Sequence, residues 1–193
     1  MRKDVASAAN PPPRAPSRGE TLRRQLGCII VNLLDAELLR GLAASPIEKR
    51  SITNLRVLNE AFDYPKPSSF SRGLRIDLNG LAILLISGTA SIDESGESIH
   101  IGDFRAQTRR TFANISGLLA SEGATWKDIV RTTCYMRDIE RDYAAFNEER
   151  TAFYARQELD PLPASTGIQA ILCRPELLIE IEAIAMFRTE PAP

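Results

Sequence analysis

The segment Leu74-Arg75-Ile76-Asp77-Leu78-Asn79-Gly80, with its return from Leu81 to Ser87, constrains the fold more than any other stretch of the chain. Apolar and polar residues alternate from Leu74 to Leu78, the period of a strand. Asn-Gly then supplies the central pair of a tight hairpin turn, where both residues need positive φ. The returning strand, LAILLIS, is apolar at both parities. Such a strand belongs to a sheet covered on both faces. The helices of one domain cover one face, and another subunit is expected over the second.

The rest of the chain supplies those helices and further strands. Asp93-Glu94-Ser95-Gly96 reads as a turn. Asp103 is the N-cap of a helix that carries Phe104, Thr108, Phe112, Ile115 and Leu119 along one stripe and ends with Gly123 at C′. Ile129 to Met136 reads as a strand rich in β-branched residues. Ile139 to Gln157 reads as a second helix, with Tyr143, Phe146, Arg150 and Phe153 on recurring turns, stopped by Pro161 and Pro163. Two strands close the pattern, Ala164 to Leu172 and Leu177 to Phe187, separated by Cys173-Arg174-Pro175-Glu176. The order β-β-α-β-α-β-β describes an α+β domain with two helices on one face of a mixed sheet.

Ahead of this domain, residues 1–20 are rich in proline and small residues and lack an apolar face, so they read as a tail without a core of its own. Residues 21–66 form an N-terminal extension with a short strand at Cys28-Ile29-Ile30-Val31 and a short helix from Asp35 to Leu42. The break Pro65-Lys66-Pro67 leads into the domain at 67–189.

Several function classes fall away on composition. The 193 residues hold 24 Lys and Arg against 25 Asp and Glu, so no global positive field draws in nucleic acid or an anionic membrane. Three well-separated cysteines (Cys28, Cys134, Cys173) and the single His100 argue against a disulfide scaffold, a metal site or a histidine-based triad. No apolar run reaches the roughly 20 residues that span a bilayer, and the N-terminus lacks the apolar core of a secretory signal. The expected setting is reducing and cytoplasmic. No G-x-S-x-G, Walker phosphate loop, C-x-x-C or H-E-x-x-H occurs, and no cofactor is implied.

The chemistry-bearing residues gather near two strand ends. In Ile179-Glu180-Ile181-Glu182-Ala183, period-two geometry puts both carboxylates on one face and the aliphatic residues on the other. Spacing alone favours a solvated edge over an acid/base pair. A sheet buried on both faces adds weight to the pair without settling it, because a carboxyl in a cleft has a raised pKa suited to donating a proton near neutrality. Ser87-Gly88-Thr89-Ala90 closes the second strand of the hairpin, and Gly88 lets backbone N–H groups approach a ligand oxygen. Cys173 has no neighbouring histidine to make a thiolate and reads as a small buried packing residue. Arg174 fits either a carboxylate clamp or a solvated turn. Arg105, Arg109 and Arg110 read as an exposed helix face.

From about Pro67 to Phe187 the chain resembles the RidA/YjgF family of small trimeric proteins, also described as endoribonuclease L-PSP or translation initiation inhibitor. The pieces that carry the resemblance are Ser87-Gly88, GDFRAQTRRTFANISGLLASEGATWKDIVRTTCYMRD, AFNEERTAFY and IEIEAIA, in the family's order and spacing. The resemblance implies a chorismate-mutase-like α+β domain, a homotrimer, and clefts between subunits that hold a small carboxylate ligand. In the family's enamine/imine deaminases an arginine after Pro-Ala grips the substrate carboxylate. Here Pro163-Ala164 is followed by Ser165, which offers one hydroxyl and no charge. The family's tyrosine position aligns with Phe70, its serine and glutamate with Ser87 and Glu180, and its asparagine with Asn147. Without the arginine, the resemblance implies weakened deaminase chemistry.

The segments YPKPSSFSRG, SGTASIDESG and CRPELLIEIEA also resemble the C-terminal part of chorismatases, a larger branch of the superfamily with a longer N-terminal region. That resemblance implies Glu180 as proton donor to an enol methylene, Ala90 and Cys173 lining the pocket, and Arg72 or Arg174 holding a carboxylate. The leading expectation is a homotrimeric hydrolase with a cleft around Glu180, Ser87, Thr89 and Cys173. Beside it stand a chorismatase-like activity and a ligand-binding or regulatory protein without turnover. A ribonuclease is the weakest reading, since the chain has no aromatic-basic groove for RNA.

Overall fold

The computed structural model describes residues 47–64 and 67–189. The expected tail, the strand at Cys28–Val31 and the helix from Asp35 to Leu42 lie outside the described residues. The described residues contain β1 (Glu48–Ser51), β2 (Gly73–Leu78), β3 (Leu81–Ala90), α1 (Phe104–Ser121), β4 (Ile129–Met136), α2 (Ile139–Arg156), β5 (Ala164–Gln169) and β6 (Ile179–Arg188). The strands form one mixed sheet in the order β1-β2-β3-β6-β4-β5. Only β4 and β5 run parallel, joined across the sheet by α2. The architecture is the expected α+β sheet with two helices.

The hairpin is built as its residues dictate. Asn79 (φ 48°) and Gly80 (φ 78°) turn β2 into β3, and Leu78 pairs with Leu81. Asp103 caps α1 by accepting the Ala106 N–H at 2.9 Å. The whole expected stripe of that helix is buried. It packs on the face of the sheet that carries Leu84, Ile86, Ile179 and Ile181. Phe112 stacks on Phe153 at 4.5 Å between ring centroids and meets Trp126 edge-on at 5.5 Å, which ties α1 to α2. Arg105 and Arg109 reach across to Glu148 and Glu149, so the exposed basic face also crosslinks the helices.

Period-two alternation holds along β6: Ile179, Ile181, Ala183 and Ala185 face the helices and are buried. Glu180, Glu182, Ile184 and Met186 face the other way. Leu85, opposite Ile184, and Met186, opposite Ile83, are 37% and 40% exposed. The apolar parity of LAILLIS that does not meet the helices therefore forms a half-exposed aliphatic strip.

Three boundaries and one added strand differ from expectation, each for a tertiary reason. β3 runs on to Ala90 through a bulge between Ile86 and Thr89, so Ser87-Gly88 lies inside the strand. β5 stops at Gln169, because β4 offers no partner beyond Met136 and the Ala170 N–H turns onto Met136 O at 3.0 Å. β6 starts at Ile179 because the Leu178 N–H is taken by the side chain of Gln107 at 2.8 Å. Finally, Glu48–Ser51 adds an edge strand on β2 with Glu48 opposite Asp77, which hydrophobic patterning did not reveal in so short and polar a segment.

Candidate functional site

The bulge in β3, the start of β6 and the Cys173–Glu176 loop converge on one cleft of 940 Å³. Glu180 and Glu182 enter it side by side from the face of β6 opposite the helices. Burial, and then the neighbouring Glu182 charge, raises the Glu180 carboxyl above the ordinary carboxylate range. Across the ladder stands Tyr135, paired with Glu180, whose phenol is pushed up by burial and by Glu182.

Gly88 makes room for the acid. A Cβ built there would stand 1.9 Å from Glu180 Oε1, so only glycine leaves the carboxyl its present position. Ser87 donates its hydroxyl to Ser71 O at 2.7 Å, leaving the oxygen lone pairs to accept from a ligand.

The opposite wall is cationic and aromatic. Arg72 is buried, donates to Asn59 O at 2.6 and 2.8 Å and to the Tyr64 hydroxyl, and lies over the rings of Tyr64 and Phe70. Its place is that of a strut that shapes the wall. Arg174 bonds Gly96 O at 2.8 Å and Ser98 Oγ at 3.1 Å through a single nitrogen, Nη1, and sits 5.1 Å from the Tyr64 ring centroid. That leaves the donors of Nε and Nη2 for a carboxylate.

The loop bearing Arg174 is held from below. Arg137 donates to Leu177 O and to Arg174 O, each at 2.6 Å, and Gln107, fully buried, donates to Glu176 O at 2.9 Å.

Of the residues singled out from sequence, the structure brings together Phe70, Arg72, Ser87, Gly88, Ala90, Cys173, Arg174 and Glu180. Cys173 is exposed at the cleft, which corrects its reading as a buried packing residue; the turn after β5 carries it out of the core. Thr89 is not on the lining: the bulge turns it inward, 3% exposed, with its hydroxyl on Ser87 O at 2.9 Å. Asn147 and Ser165 lie elsewhere. Ser165 pairs with Thr132 in the register, Thr132 pairs with Ala183, and this places Ser165 on the helix face of the sheet while Glu180 is on the other. Sequence reasoning missed Tyr64, Gln107 and Arg137. Tyr64 stood in the quoted YPKPSSFSRG segment; the other two carry no local signal, because their partners lie about 40 to 70 residues away.

Among the described residues no group of three or more His, Cys, Asp or Glu is placed to hold a metal ion, and no helix is long and apolar enough to cross a membrane.

The chain is similar to proteins of one family throughout this region. The family model for Endoribonuclease L-PSP matches residues 65–187. The 3-aminoacrylate deaminase RutC of Acinetobacter baylyi is 32% identical over 103 residues, covering 53% of this chain and 78% of that protein. A RutC family protein of Pyrococcus abyssi is 31% identical over 123 residues, covering 63% and 89%. Among solved structures, the YjgF gene product of E. coli superposes with a TM-score of 0.58 at 26% identity, covering 72% of this chain and 99% of that one. E. coli TdcF with bound serine shares the fold at 23% identity and the same TM-score, over 70% and 97%. With its strand order, its paired helices and the matched span in agreement, the chain belongs to the endoribonuclease L-PSP family, within the RidA/YjgF superfamily.

Proposed function

We propose that this protein hydrolyses a small carboxylated metabolite, with Glu180 as the acid/base. The observation that carries the reading is Glu180 itself: a carboxyl with a raised pKa, seated against Gly88 in a cleft that also presents Arg174. In its protonated form, which burial and the neighbouring Glu182 charge favour, it donates its proton to the nucleophilic carbon of an enamine, giving an iminium ion. Water adds to the electrophilic carbon, and the carbinolamine collapses to a carbonyl as ammonia leaves. Glu180, now a carboxylate, takes the proton that water gives up. Arg174 holds the substrate carboxylate as a fork. The name of the A. baylyi relative, a deaminase of 3-aminoacrylate, supports a small enamine carboxylate as substrate class.

A second reading has its own observation. Ala90 and Cys173 share the lining with Glu180, the set implied by the chorismatase resemblance. The same proton donation to an enol-ether methylene, followed by water addition and collapse of the hemiketal, would release pyruvate and an alcohol. In either case the half-exposed strip of Leu85, Ile184 and Met186 supports burial of the sheet's second face in a homotrimer.

Assays for ammonia release from 3-aminoacrylate and pyruvate release from chorismate, each with a Glu180→Gln control, decide the matter. Glu180-dependent ammonia establishes the deaminase, and Glu180-dependent pyruvate establishes the enol-ether hydrolase. Turnover that survives the substitution overturns Glu180 as the acid/base, and no turnover with either substrate overturns the catalytic reading in favour of a binding protein.

A further inference from the structure

We propose that Arg150 is a carboxylate-binding residue, bringing from α2 to the Ser165 position the guanidinium that β5 itself lacks. That the ligand is a small carboxylate rests on the reading above; the residue and its pocket, separate from the cleft of Arg174 and Glu180, rest on geometry.

Arg150 Nη1 donates to Ser165 Oγ at 3.1 Å and Nη2 to Asn147 Oδ1 at 2.5 Å, with the guanidinium 4.9 Å from the Phe146 ring centroid. Both acceptors are neutral. Arg105, Arg109, Arg110 and Arg141 are each paired with a carboxylate, whereas Arg156 lies over the Phe153 ring. Arg150 has no carboxylate within 4.0 Å among the described residues. Two of its five N–H donors are used, so three remain, and the two bonds fix the plane in which they point.

The guanidinium opens on a pocket of 580 Å³ whose wall is largely apolar, with Ala155, Leu159, Leu162 and Pro163 on it. Tyr154 lines the same pocket, 6% exposed, and its hydroxyl has no hydrogen-bond partner among the described residues. A buried hydroxyl left in that state calls for an acceptor. Of the acidic residues on the lining, Glu158 is paired with Lys127 at 3.6 Å, and Asp160 stands outside ion-pair distance of Arg150. An unneutralised, oriented guanidinium beside an unpartnered phenol and an aliphatic wall suits a small carboxylate with a branched apolar tail. Ser165 then positions the arginine rather than gripping the anion.

The test is calorimetric titration with 4-methylpentanoate and its neutral amide. The carboxylate is expected to bind and the amide to bind at least about 10-fold more weakly. Arg150→Gln should weaken carboxylate binding by about 10- to 100-fold, and Arg150→Lys, which keeps the charge but loses the fork, by less. Should Arg150→Gln fail to fold, the lysine variant still decides. The double variant Arg150→Ser with Ser165→Arg, which returns the guanidinium to the strand, should regain binding.

Equal affinity for acid and amide, unchanged binding in a folded Arg150→Gln, or no binding at millimolar concentration overturns the proposal. Glu180→Gln separates it from the catalytic reading. Carboxylate binding should survive that substitution, and if turnover also survives, the catalytic reading falls while the Arg150 site stands.

Discussion

Glu180 and Gly88 occupy one space: the Glu180 carboxyl lies where a side chain on residue 88 would begin, 1.9 Å from the Cβ position. The backbone of Gly88 is not in the left-handed region, so the glycine serves the acid and not a turn. Gly88→Ala should therefore leave the fold intact while displacing the carboxyl. A loss of about 100-fold in kcat is expected from a shift of that size. Unchanged kcat with an unchanged melting temperature would show that the carboxyl need not stand there.

The raised pKa of Glu180 makes a pH prediction of definite sign. Between the ordinary glutamate pKa and the raised folded value, the native state holds a proton that the unfolded chain has lost, so stability falls as pH rises through that window. Glu180→Gln removes this penalty. Its melting temperature should exceed that of the wild type above the folded pKa and converge with it below the ordinary glutamate pKa. Parallel curves at every pH would contradict the shift.

Gln107 couples the core to the cleft. It donates to Glu176 O at 2.9 Å and receives the Leu178 N–H at 2.8 Å, clamping both sides of the turn into β6. Gln107→Met keeps the volume but leaves both backbone groups unpaired. The expected cost is about 1–3 kcal/mol in urea unfolding, with weaker ligand binding in the cleft as Arg174 loses its support. A stability loss without any change in cleft binding would confine Gln107 to a structural role.

Phe112 is the centre of the aromatic cluster, 1% exposed and in contact with Phe153 and Trp126. Phe112→Ala should cost about 3–5 kcal/mol. Denaturant titration measures it, and a loss well under that range would mean that α1 and α2 repack around the gap.

Which features were legible before the structure follows from how far apart their causes lie in the chain. The Asn79-Gly80 turn, the Asp103 cap, the stripe through Phe112 and the two-faced alternation around Glu180 each depend on residues within a few positions of one another, and each stands where the pattern places it. Strand ends were less legible. Ile171 and Leu172 look like strand residues, yet Ile171 is 95% exposed because β4 has already ended at Met136.

The amino-acid order alone settled the types of the elements from β2 to β6, the Asp103 cap of α1 and the placing of Glu180 and Glu182 on one face, because backbone dihedrals and side-chain period are local properties. Tertiary structure alone decided that β6 enters between β3 and β4, that the bulge turns Thr89 inward while Gly88 yields to Glu180, and that Ser165 lies across the sheet from that acid with Arg150 against it. Those outcomes are set by hydrogen bonds and packing between segments distant in sequence, where the choice of neighbour depends on the whole core closing at once.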